Sequence, residues 1–279
     1  MEKIVNQSFD EERALYGKKD LYLENVKIDG PKDGESAIKE CENVLVKNSY
    51  FNLRYPFWHN TNLKIYDSIL TPNCRAAIWY SNNIYIENSK LHGIKVIRES
   101  HNIELNIVDV DSPETGWFSS DIKVKDSKIN SEYIFLKSKN LSIDNLDFKG
   151  KYSFQYIENS TLSNSKFDTK DAFWHAKNVV IKDSLIVGEY LAWYSENLTL
   201  VNCAIKGTQP FCYCKNLKLI DCKMIDTDLA FEKSDVEANI ISDMISIKNP
   251  YSGYINVLGC NSIILDDPQA KAIINIKNK

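Results

Sequence analysis

The segment Asn43–Phe51 has the sequence NVLVKNSYF, and its pattern decides the fold of this chain. Asparagine opens the segment, aliphatic residues follow at alternate positions, and Asn-Ser closes it before another apolar side chain. Further copies of this pattern begin at Asp20, Asn62, Asn83, Asp121, Asn140, Asn159, Asn178, Asn197 and Asn216. From position 43 to position 235 the leading residues are 19 residues apart, except for one step of 21 between 62 and 83. This spacing indicates an internal repeat.

Each copy of the repeat has the composition of short β-strands, because Ile, Val and Leu alternate with other residues. After the first twenty residues no segment keeps the apolar period of a helix, which excludes helical solenoids. Leucine-rich repeats place their Asn three residues after the last consensus leucine, whereas here it comes two after. A left-handed β-helix built from hexapeptides would show a period of six residues, which does not divide 19. The sequence therefore predicts an all-β fold, a single-stranded right-handed parallel β-helix of about twelve coils with a 19-residue repeat.

Equivalent positions on successive coils of such a fold stack about 4.8 Å apart and form columns. One column consists of Asn and Asp, which favour turns because they tolerate a left-handed backbone. A column of small residues follows it. The two columns hold Asn48, Asp67, Asn88, Asp126, Asn145, Asn164, Asp183, Asn202 and Asp221, and Ser49, Ser68, Ser89, Ser127, Ser165, Ser184, Cys203 and Cys222.

The length of 279 residues predicts a single domain with covered ends. Ser8 and Glu11 match a capping box, so residues 1–19 are predicted to form an N-terminal cap with a short helix. Regular coils are predicted over 20–234. The next copy, at Asn261, lies 26 residues after position 235, so residues 235–279 are predicted to form irregular last coils and a C-terminal cap.

The composition excludes several classes of function. The chain carries 34 basic and 38 acidic residues and a net charge of -4, which gives no reason to expect nucleic acid or a membrane surface as partner. No run of eighteen apolar residues and no secretory signal is present. Seven cysteines without a secretory signal fit reduced thiols. We therefore expect a cytoplasmic protein.

Several segments outside the repeat are distinctive and, with it, resemble the bacterial DUF3737 family over nearly the whole chain. They are GIKVIRES, GKYSFQY, DTKDAFWH, GEYLAWYSENLTL and GTQPFCYC. The resemblance implies a single-stranded right-handed β-helix of the pectin lyase-like type. It implies no reaction, so no catalytic residue follows from it. Many pectin lyase-like proteins act on polysaccharides, which favours that class only by analogy.

The predicted third strand of each coil carries three adjacent aromatic columns. Trp58, Trp79, Trp117, Trp174 and Trp193 form the tryptophan column. The next column holds His59, Tyr80, Phe118, Tyr156, His175, Tyr194 and Tyr213, and the preceding one Phe57, Ile78, Phe135, Phe154, Phe173 and Phe211. The His/Tyr column, which also contains Glu and Lys, is predicted to face outward. Strict alternation then buries the tryptophan column and exposes the phenylalanine column, and a bulge would reverse this. An exposed aromatic wall suits sugar rings, but loops or another subunit could also cover it.

One coil departs from the pattern. Arg98 and Glu99, preceded by Lys95, replace the aromatic pair, and Ile107 stands where Asn or Asp is expected. Acidic residues follow at Asp109, Asp111 and Glu114. Local exceptions in a regular array indicate functional sites. The alternative is an internal salt-bridge cluster with a bulged turn.

The predicted chemistry depends on carboxylate spacing. Asp171 and Glu189 are one coil apart, about 5 Å, which is typical of retaining glycosidases. A polysaccharide lyase would instead use Arg98 or Lys95 as its base, with carboxylates binding a divalent cation such as calcium. The candidate catalytic residues are Lys95, Arg98, Glu99, Asp171, His175 and Glu189. The candidate substrate-binding residues are Trp79, Tyr80, Trp117, Phe118, Tyr156, Trp174, Tyr194 and Gln209.

The sequence predicts no resident cofactor and no metal site. His59 and His175 share a column but lie six coils apart, roughly 29 Å. Cys212 and Cys214 lack the spacing of zinc ligands. Three functions stay open: a glycoside hydrolase or polysaccharide lyase, a non-catalytic glycan binder, and a homo-oligomeric scaffold whose aromatic face meets a second subunit. Whether the protein is an enzyme is not decided by the sequence.

Overall fold

The structure is a computed structural model and describes residues 1–30 and 35–277. Within these ranges it consists of strands and turns and contains no helix. Parallel strands pair at a spacing of about 19 residues and wind about 14 turns. The prediction of an all-β parallel β-helix is confirmed. The predicted count of twelve coils is too low, because segments assigned to the two caps also form coils.

The strands are short in the first part of the chain and longer toward its end. They are β1 (Glu2–Val5), β2 (Ser8–Phe9), β3 (Lys19–Glu24), β4 (Lys27–Asp29), β5 (Glu42–Lys47), β6 (Tyr50–Asn52), β7 (Thr61–Tyr66), β8 (Ile69–Leu70), β9 (Ile78–Trp79), β10 (Asn82–Glu87), β11 (Lys90–His92), β12 (Ile97–Arg98), β13 (His101–Asn106) and β14 (Asp109–Asp111). They continue as β15 (Glu114–Thr115), β16 (Ser120–Ser131), β17 (Tyr133–Ile134), β18 (Lys139–Lys151), β19 (Glu158–Ser163), β20 (Lys166–Lys170), β21 (Lys177–Lys182), β22 (Leu185–Val187), β23 (Glu196–Val201), β24 (Ala204–Thr208), β25 (Leu217–Asp228), β26 (Asp235–Lys248), β27 (Ser252–Ile264) and β28 (Ile273–Ile276).

The chain divides into two compact units, Met1–Ser142 and Ile143–Lys279. In the first unit one side of the coil is the parallel series β1, β3, β5, β7, β10, β13 and β16. In the second unit the corresponding series is β19, β21, β23, β25, β26, β27 and β28. The aliphatic columns lie in register and are buried, for example Val44 with Leu63 in the first unit and Val179 with Leu198 in the second.

The turn columns adopt the predicted conformation. Asn48 and Asp67 have φ values of 46° and 49°, and the leading asparagines Asn43 and Asn62 have 56° and 59°. The amide nitrogen of Asn62 donates to the side-chain oxygen of Asn43 at 2.8 Å, so the column forms a ladder of amides. Each such bond satisfies the polar groups of an asparagine side chain that lies beside the equivalent side chain of the next coil.

The predicted N-terminal cap helix is wrong. Ser8 lies in β2, which pairs with β4, so it does not cap a helix. The backbone nitrogens of Arg13, Leu15 and Gly17 donate to carbonyl oxygens of the next coil at 3.1, 2.8 and 2.9 Å. Arg13 has a left-handed φ of 56°, which a right-handed helix does not contain. Backbone hydrogen bonds between coils therefore replace those of a helix, and the Leu15 side chain is buried.

The predicted register of the last coils is also wrong. Asp235 lies opposite Ser252, a step of 17 residues, and Asn261 lies inside β27 rather than at the start of a coil. The final strand β28 pairs with Tyr254–Val257 of β27. Residues 31–34 of the predicted coils and 278–279 of the predicted C-terminal cap lie outside the described residues.

Ile107 has a left-handed φ of 53° although it is β-branched, and 51% of its surface is exposed. We expect Ile107→Asn to raise the free energy of unfolding by about 1 kcal/mol, because asparagine tolerates this conformation and β-branched residues do not. Urea denaturation measures the change. Ile94→Asn is the control, since Ile94 is 44% exposed and has no left-handed φ. Equal effects of the two substitutions would contradict the explanation.

Candidate functional site

The third side of each coil is built largely of turns with left-handed residues rather than of a regular strand. Phe57 and Phe154 are completely buried, whereas Trp58 and Trp79 are half-buried and Tyr80 is 41% exposed. Of the two arrangements that the sequence left open, strict alternation is therefore wrong, and the reversed arrangement with a buried phenylalanine column is observed. Left-handed φ values at positions such as Tyr80 interrupt the alternation, so that a tryptophan and the residue after it both face outward.

The tryptophan column is held by stacking and by backbone bonds. Trp58 and Trp79 lie with centroids 5.3 Å apart and planes 2° from parallel. In the second unit Trp174 and Trp193 are 5.4 Å apart at 4°. The indole nitrogens of Trp174 and Trp193 each donate to a backbone carbonyl oxygen of the next coil at 2.7 Å. In each pair the protein itself therefore covers one face of both rings, and it also satisfies the indole nitrogens of Trp174 and Trp193.

Arg98 continues the tryptophan column of the first unit. Its guanidinium carbon lies 5.1 Å from the Trp79 ring centroid and 5.6 Å from that of Trp117, and its Nε donates to Glu99 at 3.1 Å. A planar guanidinium stacks on aromatic faces much as an indole does. Arginine also stays protonated in proteins, which disfavours a role as general base. The contacts favour the salt-bridge interpretation of this coil.

The other charged residues of the exceptional coil are also paired. The ammonium of Lys95 lies 3.7 Å from the carboxylate of Glu114, and both side chains are about one-quarter exposed. His92, which sequence reasoning did not single out, has its Nε2 3.5 Å from the Asp109 carboxylate. Its 19-residue spacing from Asp111, which lies opposite it in register, was the signal that could have found it.

The second unit carries a continuous outward stack that we call the tyrosine–histidine ladder: Tyr156, His175, Tyr194 and Tyr213. Successive ring centroids are 4.7, 5.0 and 4.7 Å apart, with planes within 10° of parallel. Tyr156 and Tyr194 are 42% and 45% exposed. Burial, followed by the nearby Lys177 ammonium, lowers the pKa of His175, which favours the neutral ring. Tyr213 was not among the predicted site residues, although its 19-residue spacing from Tyr194 marked it.

The same column in the first unit is interrupted by charges. Glu40, Glu99 and Lys137 occupy positions of this column among the aromatic residues. The rings of His59 and Tyr80 stack with centroids 5.0 Å apart. Phe118 faces the Arg98 guanidinium at 5.3 Å rather than a parallel ring. Only the second unit therefore offers an outward aromatic stack four rings long within the described residues.

Asp171 and Glu189 lie on adjacent coils, as predicted, and the backbone nitrogen of Asp171 donates to the carbonyl oxygen of Glu189 at 3.0 Å. Asp171 is 7% exposed, and burial raises the pKa of its carboxyl. The neighbouring Glu189 carboxylate raises this pKa further, while Lys170 lowers it. The ammonium of Lys170 lies 2.9 Å from the carboxylate of Glu189. The backbone carbonyl oxygen of Gln209 accepts the hydrogen bond that the Trp193 indole nitrogen donates.

The predicted site residues thus fall into two sets. Lys95, Arg98, Glu99, Trp79, Tyr80, Trp117 and Phe118 belong to the first unit, and Asp171, His175, Glu189, Tyr156, Trp174, Tyr194 and Gln209 to the second. Their catalytic and binding roles stay predictions. Residues 1–30 and 35–277 contain no group of three His, Cys, Asp or Glu side chains arranged to hold a metal ion. The same ranges include no helix that could span a bilayer.

Comparison with known sequences agrees with the resemblance carried by the repeat and the distinctive segments. The profile of the family described as Protein of unknown function (DUF3737) matches residues 2–277. No curated protein sequence matches the chain. With almost its entire length covered by one family profile, the chain belongs to the DUF3737 family.

Proposed function

We propose that the protein binds a linear, uncharged carbohydrate along the tyrosine–histidine ladder. The observation that carries this proposal is the row of four parallel rings at 4.7 to 5.0 Å, which presents polar ring edges at a regular interval. A ligand that matches such a row must be extended and must repeat its hydroxyl groups. Linear glycans have both properties.

The ladder would contact such a ligand through hydrogen bonds rather than by stacking. Each inner ring already has both faces covered by its neighbours, so its edge is the part available to solvent. The hydroxyls of Tyr194 and Tyr213 have no hydrogen-bond partner in residues 1–30 and 35–277. A phenolic hydroxyl both donates and accepts, as sugar hydroxyls do.

The charges beside the ladder favour a neutral ligand. Glu158, Lys177, Glu196 and Lys215 follow one another on successive coils and alternate in sign. The ammonium of Lys177 lies 3.9 Å from the Glu196 carboxylate. Alternating charges of this kind leave no extended positive potential for an acidic polysaccharide.

Binding is expected to weaken about thirtyfold when Tyr194 and Tyr213 are both replaced by phenylalanine. The double substitution keeps the stacked rings but removes two hydroxyls, each contributing about 1 kcal/mol through its hydrogen bonds. A panel of neutral oligosaccharides identifies the ligand, and titration calorimetry measures its affinity. Tyr254→Phe is the control, because Tyr254 is 36% exposed and lies outside the ladder. The proposal fails if no neutral glycan binds, or if the double variant binds as tightly as the control.

A second candidate function is hydrolysis of the bound glycan. The position of Asp171 and Glu189 on adjacent coils favours it, because retaining glycosidases hold an acid and a nucleophile about 5 Å apart, and burial raises the pKa of the Asp171 carboxyl. Release of reducing ends from a bound oligosaccharide tests it. Asp171→Asn and Glu189→Gln should each abolish the release of reducing ends while binding persists. If the wild-type protein releases no reducing ends, hydrolysis is excluded and binding alone is the function.

We further propose that the ligand is encountered in the cytoplasm. All seven cysteines are free thiols and six of them are buried, which fits a reducing compartment. An imported oligosaccharide or a cell-wall precursor would be a suitable ligand there. Recovery of the protein in the secreted fraction of cells would contradict this.

A further inference from the structure

The second unit ends in a sheet edge that lacks a partner strand. Residues 259–264 of β27 pair on one side with β26, where Gly259 lies opposite Asp243 and Ile264 opposite Lys248. Within the described residues no strand pairs with their other side, since β28 pairs only with Tyr254–Val257. We call residues 259–264 together with β28 the C-terminal edge. Unpaired backbone groups of this kind bind other strands.

The hydrophobic core is open at the C-terminal edge. Met244 is 3% exposed, whereas Cys260, opposite it one coil later, is half-buried. Ile255 is completely buried, whereas Ile274, opposite it in β28, is half-buried. The last coil therefore lacks the covering layer that every earlier coil receives from its successor.

Large apolar side chains are exposed on the last residues of this unit. Ile263, Leu265 and Ile273 are 39%, 56% and 63% exposed. Large apolar side chains exposed at the end of a sheet are typical of an interaction site. Charges of both signs lie among these residues, at Asp266 and Lys271.

We propose that the C-terminal edge binds the same edge of a second copy of this chain. A strand edge pairs with an identical edge in antiparallel direction when the two are related by a two-fold axis. Each copy would then cover the open core of the other. Charges of both signs on one surface allow each copy to oppose its acidic residue with the partner's lysine.

The first coil of the chain is a poorer partner for this edge. Its inward residues Ile4 and Leu15 are 6% and 3% exposed and Phe9 is half-buried, so most of its core is already covered. The charged side chains of Glu2 and Lys3 lie on β1, and charges on an edge strand oppose further pairing. A head-to-tail contact would thus set an open core against a mostly covered one, whereas two C-terminal edges match.

Light scattering coupled to size exclusion tests the proposal on the full chain. At micromolar concentration the wild-type protein should have twice the chain mass of 32.1 kDa, and Ile263→Lys combined with Leu265→Lys should have the single mass. Ile69→Lys is the matched control, since Ile69 is 43% exposed on a strand of the first unit. A monomeric wild type, or a double variant as dimeric as the control, overturns the proposal.

A second measurement keeps the test valid if the double variant does not fold. A short bifunctional maleimide applied to the native wild type should join Cys260 to Cys260 of a second copy, because the other six cysteines are buried. Cys260→Ser should remove the cross-linked species. Absence of a Cys260–Cys260 peptide in the mass spectrum of the treated wild type contradicts the proposal.

Discussion

Phe173→Ala is expected to lower the free energy of unfolding by about 4 kcal/mol, because it removes a large side chain from a closely packed interior. Phe173 is completely buried in the second unit. Its ring stacks on Phe154 with centroids 4.9 Å apart at 7°, and Phe167 meets it edge-on at 6.0 Å. Parallel coils cannot close on the cavity without breaking their backbone bonds, so little of the loss is recovered. Urea denaturation measures the change.

Two further variants make this prediction specific. Phe173→Leu should lower the free energy of unfolding by less than half as much as Phe173→Ala, because leucine fills most of the same space. Tyr194→Ala, one coil further along, removes a ring that is 45% exposed and should cost about 1 kcal/mol. If Phe173→Ala were no more destabilising than Tyr194→Ala, the phenylalanine column would not be the core of the third side.

Gly188→Ala is expected to destabilise the protein by about 3 to 5 kcal/mol, from a disallowed backbone conformation and from steric overlap. Gly188 has φ of 150°, and an added Cβ would lie 1.4 Å from the carbonyl oxygen of Thr169 on the preceding coil. The contact involves backbone, so no side-chain rotation relieves it. Thermal and urea denaturation should both show the loss.

Gly17→Ala is the matched control for backbone conformation alone. Gly17 has a left-handed φ of 68°, but an added Cβ would meet no atom within 4 Å. We expect a loss of about 1 kcal/mol there, the cost of a left-handed conformation without a clash. Equal losses at both glycines would show that the coil spacing at Gly188 is not sterically limited.

The repeat predicted most of the fold because its signals are local and are reinforced by their copies. Asparagine at positions 43 and 62 adopts the expected left-handed conformation, and its ladder bonds follow from the spacing. The ends were predicted less well. At Ser8 a local capping pattern competes with strand pairing, and pairing prevails because the next coil supplies a partner for each backbone group.

The candidate site was predicted in its composition but not in its arrangement. The sequence placed Tyr194 and His175 in one outward column, and the structure shows their rings stacked at 5.0 Å. It did not indicate that Arg98 substitutes for a tryptophan within a stack, because guanidinium–indole contact depends on ring orientation. The charges at Glu40, Glu99 and Lys137 that interrupt the first unit's column are visible in the sequence, but the parallel stacking of the four rings in the second unit is not.

The sequence by itself determined the coil period, the turn columns and the all-β class of this protein, because each depends on residue type at a fixed interval. Only the tertiary structure decided which of the tryptophan and phenylalanine columns is buried. Tyr80 adopts a left-handed backbone conformation that its residue type does not favour, and His175 adopts the same conformation. Backbone bonds to the next coil, such as the 2.9 Å bond from His175 nitrogen to Trp193 oxygen, hold them there. Such bonds form only when coils are stacked, so no single segment encodes them.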